Sequence, residues 1–221
     1  MSEITIALVG KTGHGKSSTG NTILRKDAFE ESNTTTYATE ILTLQRADFG
    51  NYKVKVYDIP GLESQTFSQK HIMRQFYSLM ESAGKIDLFI FAYSYPSRFT
   101  IEEAKVLSKL QDTFGHDFLE KHGMMAVTRG DLCKKDASGD GVPTEECFRK
   151  WCENSGDKFK SLREMVSDRI LLVCNRGTFE HNTDRMVSSR KLHEIAITMY
   201  NRGTPFKKEE FERIHKWCTI A

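Results

Sequence analysis

The sequence has no C-x-x-C pair, no apolar run of membrane-spanning length and almost no net charge, and each absence removes a class of protein. Its five cysteines (Cys133, Cys147, Cys152, Cys174 and Cys218) are odd in number and scattered, so they read as reduced thiols and not as a disulfide framework. The apolar runs at 86–93 and 170–174 have the length of strands. No secretory h-region opens the chain, and with the thiols this gives the expectation of a cytoplasmic protein. Basic and acidic residues nearly balance, 32 against 30, for a net charge of +2. No global field recruits a polyanion, and no arginine-rich or aromatic-interleaved basic stretch stands out, so nucleic acid is set aside as a partner. A length of 221 residues suffices for one large α/β domain with a full core, alone or with a helical extension.

What is present begins at residue 4. Ile4-Thr5-Ile6-Ala7-Leu8-Val9 is a β-branched and apolar run suited to a strand buried on both faces. Glycines follow where such a strand must turn. Gly10, then Lys11-Thr12-Gly13-His14, then Gly15-Lys16-Ser17 fit G-x-x-x-x-G-K-[ST], in which backbone N–H groups converge on phosphate oxygens. In that pattern Lys16 neutralises the β- and γ-phosphates and the Ser17 hydroxyl ligates Mg²⁺. A helix from Ser18 to Lys26 then aims its positive end at the anion.

Residues 27–39 turn polar and hydroxyl-rich, and a threonine in such a loop can ligate Mg²⁺ while its neighbour's N–H touches a γ-phosphate. Composition does not choose among Thr34, Thr35, Thr36 and Thr39. Two alternating segments, Glu40 to Asp48 and Tyr52 to Asp58, flank Gly50-Asn51 and predict an antiparallel hairpin. The second runs into Asp58-Ile59-Pro60-Gly61-Leu62. Downstream of a phosphate cradle, Asp58 suits a carboxylate that reaches Mg²⁺ through water, and Gly61 a backbone N–H that reads the γ-phosphate. Ras-like enzymes place a water-orienting glutamine directly after this glycine. Here the position holds Leu62, with Gln65 three residues further on, so unaided hydrolysis is expected to be slow.

An apolar stripe at Phe67, Ile72, Phe76 and Leu79 predicts a helix over 64–82, with His71 as a packed or capping side chain. Ile86 to Tyr93 reads as the next buried strand, and Thr100 with Glu103 as a capping box opening another helix. Arg98, in the loop between them, can complement transferring phosphate charge. Gly123 to Val127 is a short strand ending in Thr128-Arg129-Gly130-Asp131-Leu132. Guanine-nucleotide-binding proteins carry [NT]-K-x-D at this place, and its aspartate accepts from guanine N1–H and the 2-amino group. Asp131 is therefore the candidate base reader, with Arg129 lying along base and ribose. The strand Arg169 to Cys174 leads to Asn175-Arg176-Gly177, a loop suited to closing over the base from its other side. Asp136-Ala137-Ser138-Gly139-Asp140-Gly141 has some calcium-loop composition, but its twelfth position is Cys147. It reads as a polar insertion before a helix started at Pro143-Thr144. Two amphipathic helices, around 184–201 and 205–217, close the chain, and Cys218-Thr219-Ile220-Ala221 fits a prenylation signal only loosely. Membrane contact is expected only if Cys218 is lipidated.

Taken together, Gly10 through Leu24, Asp58-Ile59-Pro60-Gly61-Leu62, Arg98 through Glu103 with Phe114-Gly115, and Thr128 through Leu132 resemble the signature of the AIG/GIMAP GTPases, the immunity-associated branch of the septin/Toc-like G proteins. The likeness extends over most of residues 3–200; His14, Ile59 and Tyr37-Ala38 before Thr39 depart from the usual pattern. It implies a doubly wound α/β P-loop G domain, a mainly parallel sheet with one antiparallel strand, over 1–203, and a C-terminal helix and tail over 204–221. It implies GTP and GDP as ligands with Mg²⁺, held by Gly10, Lys11, Thr12, Gly13, His14, Gly15, Lys16, Ser17, Ser18, Thr128, Arg129, Asp131 and Asn175. It picks Thr39 as the switch threonine beside Ser17 and Asp58 at the metal, and Asn175 as the base-loop asparagine. Catalysis then rests on Lys16, Thr39, Gly61 and Arg98, with segments 30–40 and 58–70 as switches. A homodimer through the nucleotide face, in which Arg98 acts on the partner's nucleotide, is one implication; a GTP-binding scaffold with negligible turnover is the other.

Overall fold

The run Ile4 to Val9 forms the middle of β1 (Ser2–Gly10), at the centre of a six-stranded sheet in a computed structural model that describes residues 1–30, 42–61, 69–97, 99–180 and 183–215. After β1 come α1 (Lys16–Leu24), β2 (Thr43–Phe49), β3 (Tyr52–Asp58), α2 (Gln69–Ala83), β4 (Lys85–Ile86), β5 (Leu88–Ser94) and α3 (Ile101–Phe114). The second half adds α4 (Phe118–His122), β6 (Gly123–Thr128), α5 (Gly130–Asp140), α6 (Thr144–Asn154), α7 (Asp157–Met165), β7 (Ile170–Leu172), α8 (Asp184–Asn201), β8 (Phe206–Lys207) and α9 (Lys208–His215). The main sheet runs β2-β3-β1-β5-β6-β7, with β2 antiparallel to β3 and every other pair parallel. This is the doubly wound, mainly parallel sheet with one antiparallel strand that the sequence predicts.

Alternation along the strands assigns residues to two cores, which is why an unbroken apolar run was needed. Ile4, Ile6 and Leu8 pack with Ile23 and Leu24 of α1 and Leu192, Ala196 and Met199 of α8 on one face. Ala7 and Val9 pack on the other with Phe76 and Leu79 of α2, Leu110 and Phe114 of α3, Phe159 of α7 and Phe211 of α9. Phe114 is the hub of the second core. Its ring centroid lies 5.0 Å from Phe76, 4.9 Å from Phe89, 5.5 Å from Phe206 and 5.8 Å from Phe211. Residues 206–215 therefore close over the same core as the sheet.

Several boundaries differ from the sequence expectation for identifiable reasons. α1 occupies Lys16–Leu24, ending earlier than Lys26 because Arg25 turns left-handed at φ 53°. The segment 86–93 is two strands: β4 pairs antiparallel with β8, and β5 starts after Asp87. Asp87 is buried, and its carboxylate accepts from the Thr5 N–H at 2.8 Å and from Lys85 Nζ at 3.1 Å. Residues 136–140 are the last turns of α5 and not a polar insertion; left-handed Gly141 caps the helix. The final helix is α9, Lys208–His215, preceded by the two-residue β8.

Because β1, β3, β5, β6 and β7 run parallel, their carboxyl ends share one edge of the sheet. Gly10, Asp58, Ser94, Thr128 and the 173–177 segment all lie there, the edge at which open α/β sheets bind ligands.

Candidate functional site

β1 ends at Gly10, and the chain turns through Lys11–Gly15 into α1, with Gly15 as its left-handed N-cap at φ 81°. A side chain at Gly15 is barred twice over, by that conformation and by Thr128, whose side-chain atoms lie 3.2 Å from where a Cβ would stand. Lys16 is buried, and its Nζ donates to Lys11 O at 3.1 Å, spanning the turn from inside. The arrangement places the Lys16 ammonium and the N-terminus of α1 at the same turn, a combination that suits an anion.

Ser17, in the first turn of α1, donates from Oγ to Asp58 Oδ2 at 2.5 Å. Asp58 ends β3 and is buried, so the sequence-predicted hydroxyl and carboxylate meet. Gly61 packs on the cradle from the same side: a Cβ there would lie 1.8 Å from Thr12 Oγ1 and 2.9 Å from the Thr12 backbone nitrogen. No other residue type fits this close approach without moving the turn.

The side chains of Lys11 and His14 both face Glu103, which the sequence marks only as a cap. Glu103 accepts from the Thr100 N–H at 2.8 Å and from the Thr100 hydroxyl, forming the capping box of α3. Its Oε1 lies 3.6 Å from Lys11 Nζ and 3.5 Å from His14 Nε2. Burial pulls the His14 imidazole down to about 4, against the attraction of Glu103 and with help from Lys11 and Lys16, so the ring is neutral at pH 7. Burial works to raise the Glu103 carboxyl, but the Thr100 hydrogen bonds and Lys11 leave it below its ordinary value. The ring of His14 meets Tyr93 edge-on at 5.6 Å, and the Tyr93 hydroxyl donates to Ser97 O at 2.9 Å. The cradle thus rests on β5 and the start of α3.

On the other side, Thr128 donates from its hydroxyl to His14 O at 3.0 Å, tying the end of β6 to the cradle. Arg129 follows as the left-handed N-cap of α5 at φ 58°, and Asp131 stands in the first turn of that helix. Gly130 donates its N–H to Val173 O at 3.0 Å, and a Cβ on it would meet Cys174 Sγ at 2.6 Å. The segments after β6 and β7 are therefore in contact. Arg176 Nη1 reaches Asp131 Oδ2 at 3.6 Å. The Asn175 amide is held against α1: Thr22 Oγ1 donates to its Oδ1 at 2.8 Å, and its Nδ2 donates to Thr19 Oγ1 at 3.1 Å. Thr19 in turn donates to Gly15 O at 2.7 Å. Thr19 and Thr22 were not singled out from the sequence; their i, i+3 spacing on one face of α1 was the available signal.

Gly10, Lys11, Thr12, Gly13, His14, Gly15, Lys16, Ser17, Ser18, Asp58, Gly61, Thr128, Arg129, Asp131 and Asn175 all lie on or beside this edge of the sheet. Thr39, Leu62, Gln65, Arg98 and Cys218 lie outside the described residues. Among the described residues no helix is long and apolar enough to cross a membrane.

The AIG1 family model matches residues 4–219. Immune-associated nucleotide-binding protein 3 of Arabidopsis thaliana is 27% identical over 220 residues, covering 96% of this chain and 64% of that protein. Immune-associated nucleotide-binding protein 7 of the same plant is 31% identical over 218 residues, covering 98% of this chain and 59% of that protein. The chain thus spans a little under two thirds of the length of these relatives. Toc33 from Arabidopsis thaliana, solved in complex with Mg²⁺ and GMPPNP, matches with a TM-score of 0.67 at 15% identity, over 94% of this chain and 88% of that one. The G domain of the Thermotoga maritima FeoB iron transporter matches with a TM-score of 0.51 at 16% identity, over 90% of this chain and 99% of that one. These two likenesses are of fold, that of a G domain. The family match takes in both the glycine cradle after β1 and the segments after β6 and β7, and on that ground the chain belongs to the AIG1 family.

Proposed function

We propose that this chain binds GTP and GDP with Mg²⁺ along the carboxyl edge of its sheet, hydrolyses GTP slowly, and uses nucleotide state to control homodimer formation. The observation that carries the proposal is the Ser17 hydroxyl set 2.5 Å from the buried Asp58 carboxylate at the mouth of a glycine cradle. Two hard oxygen donors beside a phosphate-binding helix terminus suit Mg²⁺. When bound, the ion neutralises charge on the β- and γ-phosphate oxygens. Supporting this, Toc33, which shares the fold, has been solved with Mg²⁺ and either GMPPNP or GDP.

Lys16 would place its ammonium against the β/γ bridge, giving up its bond to Lys11 O. Gly61 would offer its N–H to the γ-phosphate from the turn after Asp58, and Thr39 would complete the metal's protein ligands. Asp131 would accept from guanine N1–H and the 2-amino group, which adenine does not offer in that arrangement. That step requires Arg176 to leave the Asp131 carboxylate, and it is 84% exposed and free to do so. Thr128 would also tie the base-binding end of β6 to the cradle, through the hydrogen bond its hydroxyl donates to His14 O.

Hydrolysis would be slow because Leu62, which follows Gly61, cannot hydrogen-bond a water. Arg98 from a second copy would supply the missing charge, and for chloroplast translocon components of the same fold dimerization is important for GTPase activity. The test is GTPase rate across protein concentration. Specific activity that rises with concentration and is lost in Arg98→Ala supports the dimer; turnover that is negligible throughout favours a GTP-binding scaffold instead.

A further inference from the structure

The second residue of α8, Arg185, is buried, with its side chain 9% exposed, and its guanidinium is divided between the loop that follows β7 and the end of α1 with the residues after it. Nη1 donates to Gly177 O at 3.1 Å, and Cζ sits 4.0 Å over the ring of Phe179. Nε donates to Thr22 Oγ1 at 3.4 Å, and Nη2 pairs with Asp27 at 2.9 Å. Asp27 is 78% exposed, so this ion pair alone does not offset the cost of withdrawing a guanidinium from water. The rest of the compensation comes from Thr22 on α1 and from Gly177 and Phe179 in the loop.

These contacts form one directed chain. Arg185 donates to Thr22, Thr22 to the Asn175 Oδ1, the Asn175 Nδ2 to Thr19, and Thr19 to Gly15 O at the end of the cradle. Each hydroxyl accepts from one partner and donates to the next, so the orientation of the Asn175 amide is fixed. Its side chain is thereby committed to α1, and the loop has its main chain left to offer a ligand. The same loop is pinned a second time by Thr183, the N-cap of α8, whose hydroxyl donates to Thr178 O at 2.6 Å.

We propose that Arg185 is a positioning residue for base selection: it clamps residues 175–179 onto α1 so that their main chain closes over the purine opposite Asp131. The proposal rests on the guanine-nucleotide reading given above and adds to it the element that sets discrimination. A lysine at this position keeps the charge but cannot reach Thr22, Gly177 and Asp27 together, nor stack flat on Phe179.

The test compares wild type, Arg185→Lys and Phe179→Leu in titrations with GDP, with IDP, which lacks the 2-amino group, and with inorganic tripolyphosphate, which fills the cradle but has no base. Arg185→Lys should weaken GDP at least tenfold, narrow the GDP-to-IDP ratio, and leave tripolyphosphate within twofold of wild type. Phe179→Leu, which removes only the ring beneath the guanidinium, should shift GDP in the same direction by about threefold. Equal losses for GDP and tripolyphosphate would reduce Arg185 to a general structural role and overturn the proposal. So would GDP affinity and discrimination unchanged in both variants. A wild-type protein that binds tripolyphosphate but no guanine nucleotide would instead sink the reading on which the proposal stands.

Discussion

Ser17 and Asp58 are 41 residues apart in sequence and joined by a 2.5 Å hydrogen bond between the first turn of α1 and the end of β3. Both would be metal-facing groups, so each substitution should act through Mg²⁺. Ser17→Ala and Asp58→Asn are expected to weaken a GTP analogue at least about tenfold, about 1.4 kcal/mol, in Mg²⁺. In a chelator, wild type and variants should bind it alike. A titration of a fluorescent analogue under both conditions checks this.

Gly61 and Thr12 lie so close that an added methyl cannot be absorbed by rotating the Thr12 side chain alone, because the Thr12 backbone nitrogen is also within 2.9 Å of it. Gly61→Ala should cost about 1–3 kcal/mol in thermal or denaturant unfolding. It should also weaken a GTP analogue more than GDP, since on the proposed function the displaced turn carries the N–H offered to the γ-phosphate. Equal effects on the two nucleotides would contradict that role.

His14, His122 and His193 are each pulled down to about 4, in every case mainly by burial. The unfolded chain takes up these protons near pH 6.5 and the folded chain does not, so stability must fall as pH drops from about 6.5 toward 4. By pH 5 each histidine removes on the order of 2 kcal/mol. Unfolding midpoints measured from pH 7.5 to 5 should therefore decline steeply. His193→Phe, which keeps a ring beside Phe49, 4.2 Å away, should flatten that decline.

Much of this molecule was legible because its chemistry is local. The Ile4–Val9 run, the glycine cradle and the Thr100–Glu103 capping box each depend on neighbours within a few residues, and all three stand where the sequence puts them. What was not legible depends on distant partners. Nothing around Asp87 announces that it accepts the Thr5 N–H, 82 residues away, and that contact is where the expected strand divides. Glu103 was recognisable as a cap, but only the fold sets its second oxygen beside Lys11 and His14. Asp136 to Asp140 looked like an insertion because its polar composition suits a loop and the exposed face of a helix equally well. Arg185 gave no signal, since its partners Thr22, Asp27 and Gly177 come from α1, the residues after it and the loop after β7.

Phe211 is fully buried against Phe114 and lies 4.9 Å from the ring of Tyr77. If α9 completes the core and is not a detachable tail, Phe211→Ala should cost about 3–5 kcal/mol, as for an aromatic deleted from any packed interior. A loss below about 1 kcal/mol in denaturant unfolding would show that the helix contributes little.

The central claim is that the purine is identified by Asp131 while the phosphates sit in the cradle after β1. Calorimetry of the whole chain with Mg²⁺, comparing GDP, GTP and ADP, tests it most directly. The account predicts micromolar or tighter binding of both guanine nucleotides, at least a hundredfold preference over ADP, and loss of that preference in Asp131→Asn. Heat from ADP equal to that from GDP, or none from either guanine nucleotide at high micromolar concentration, would contradict it.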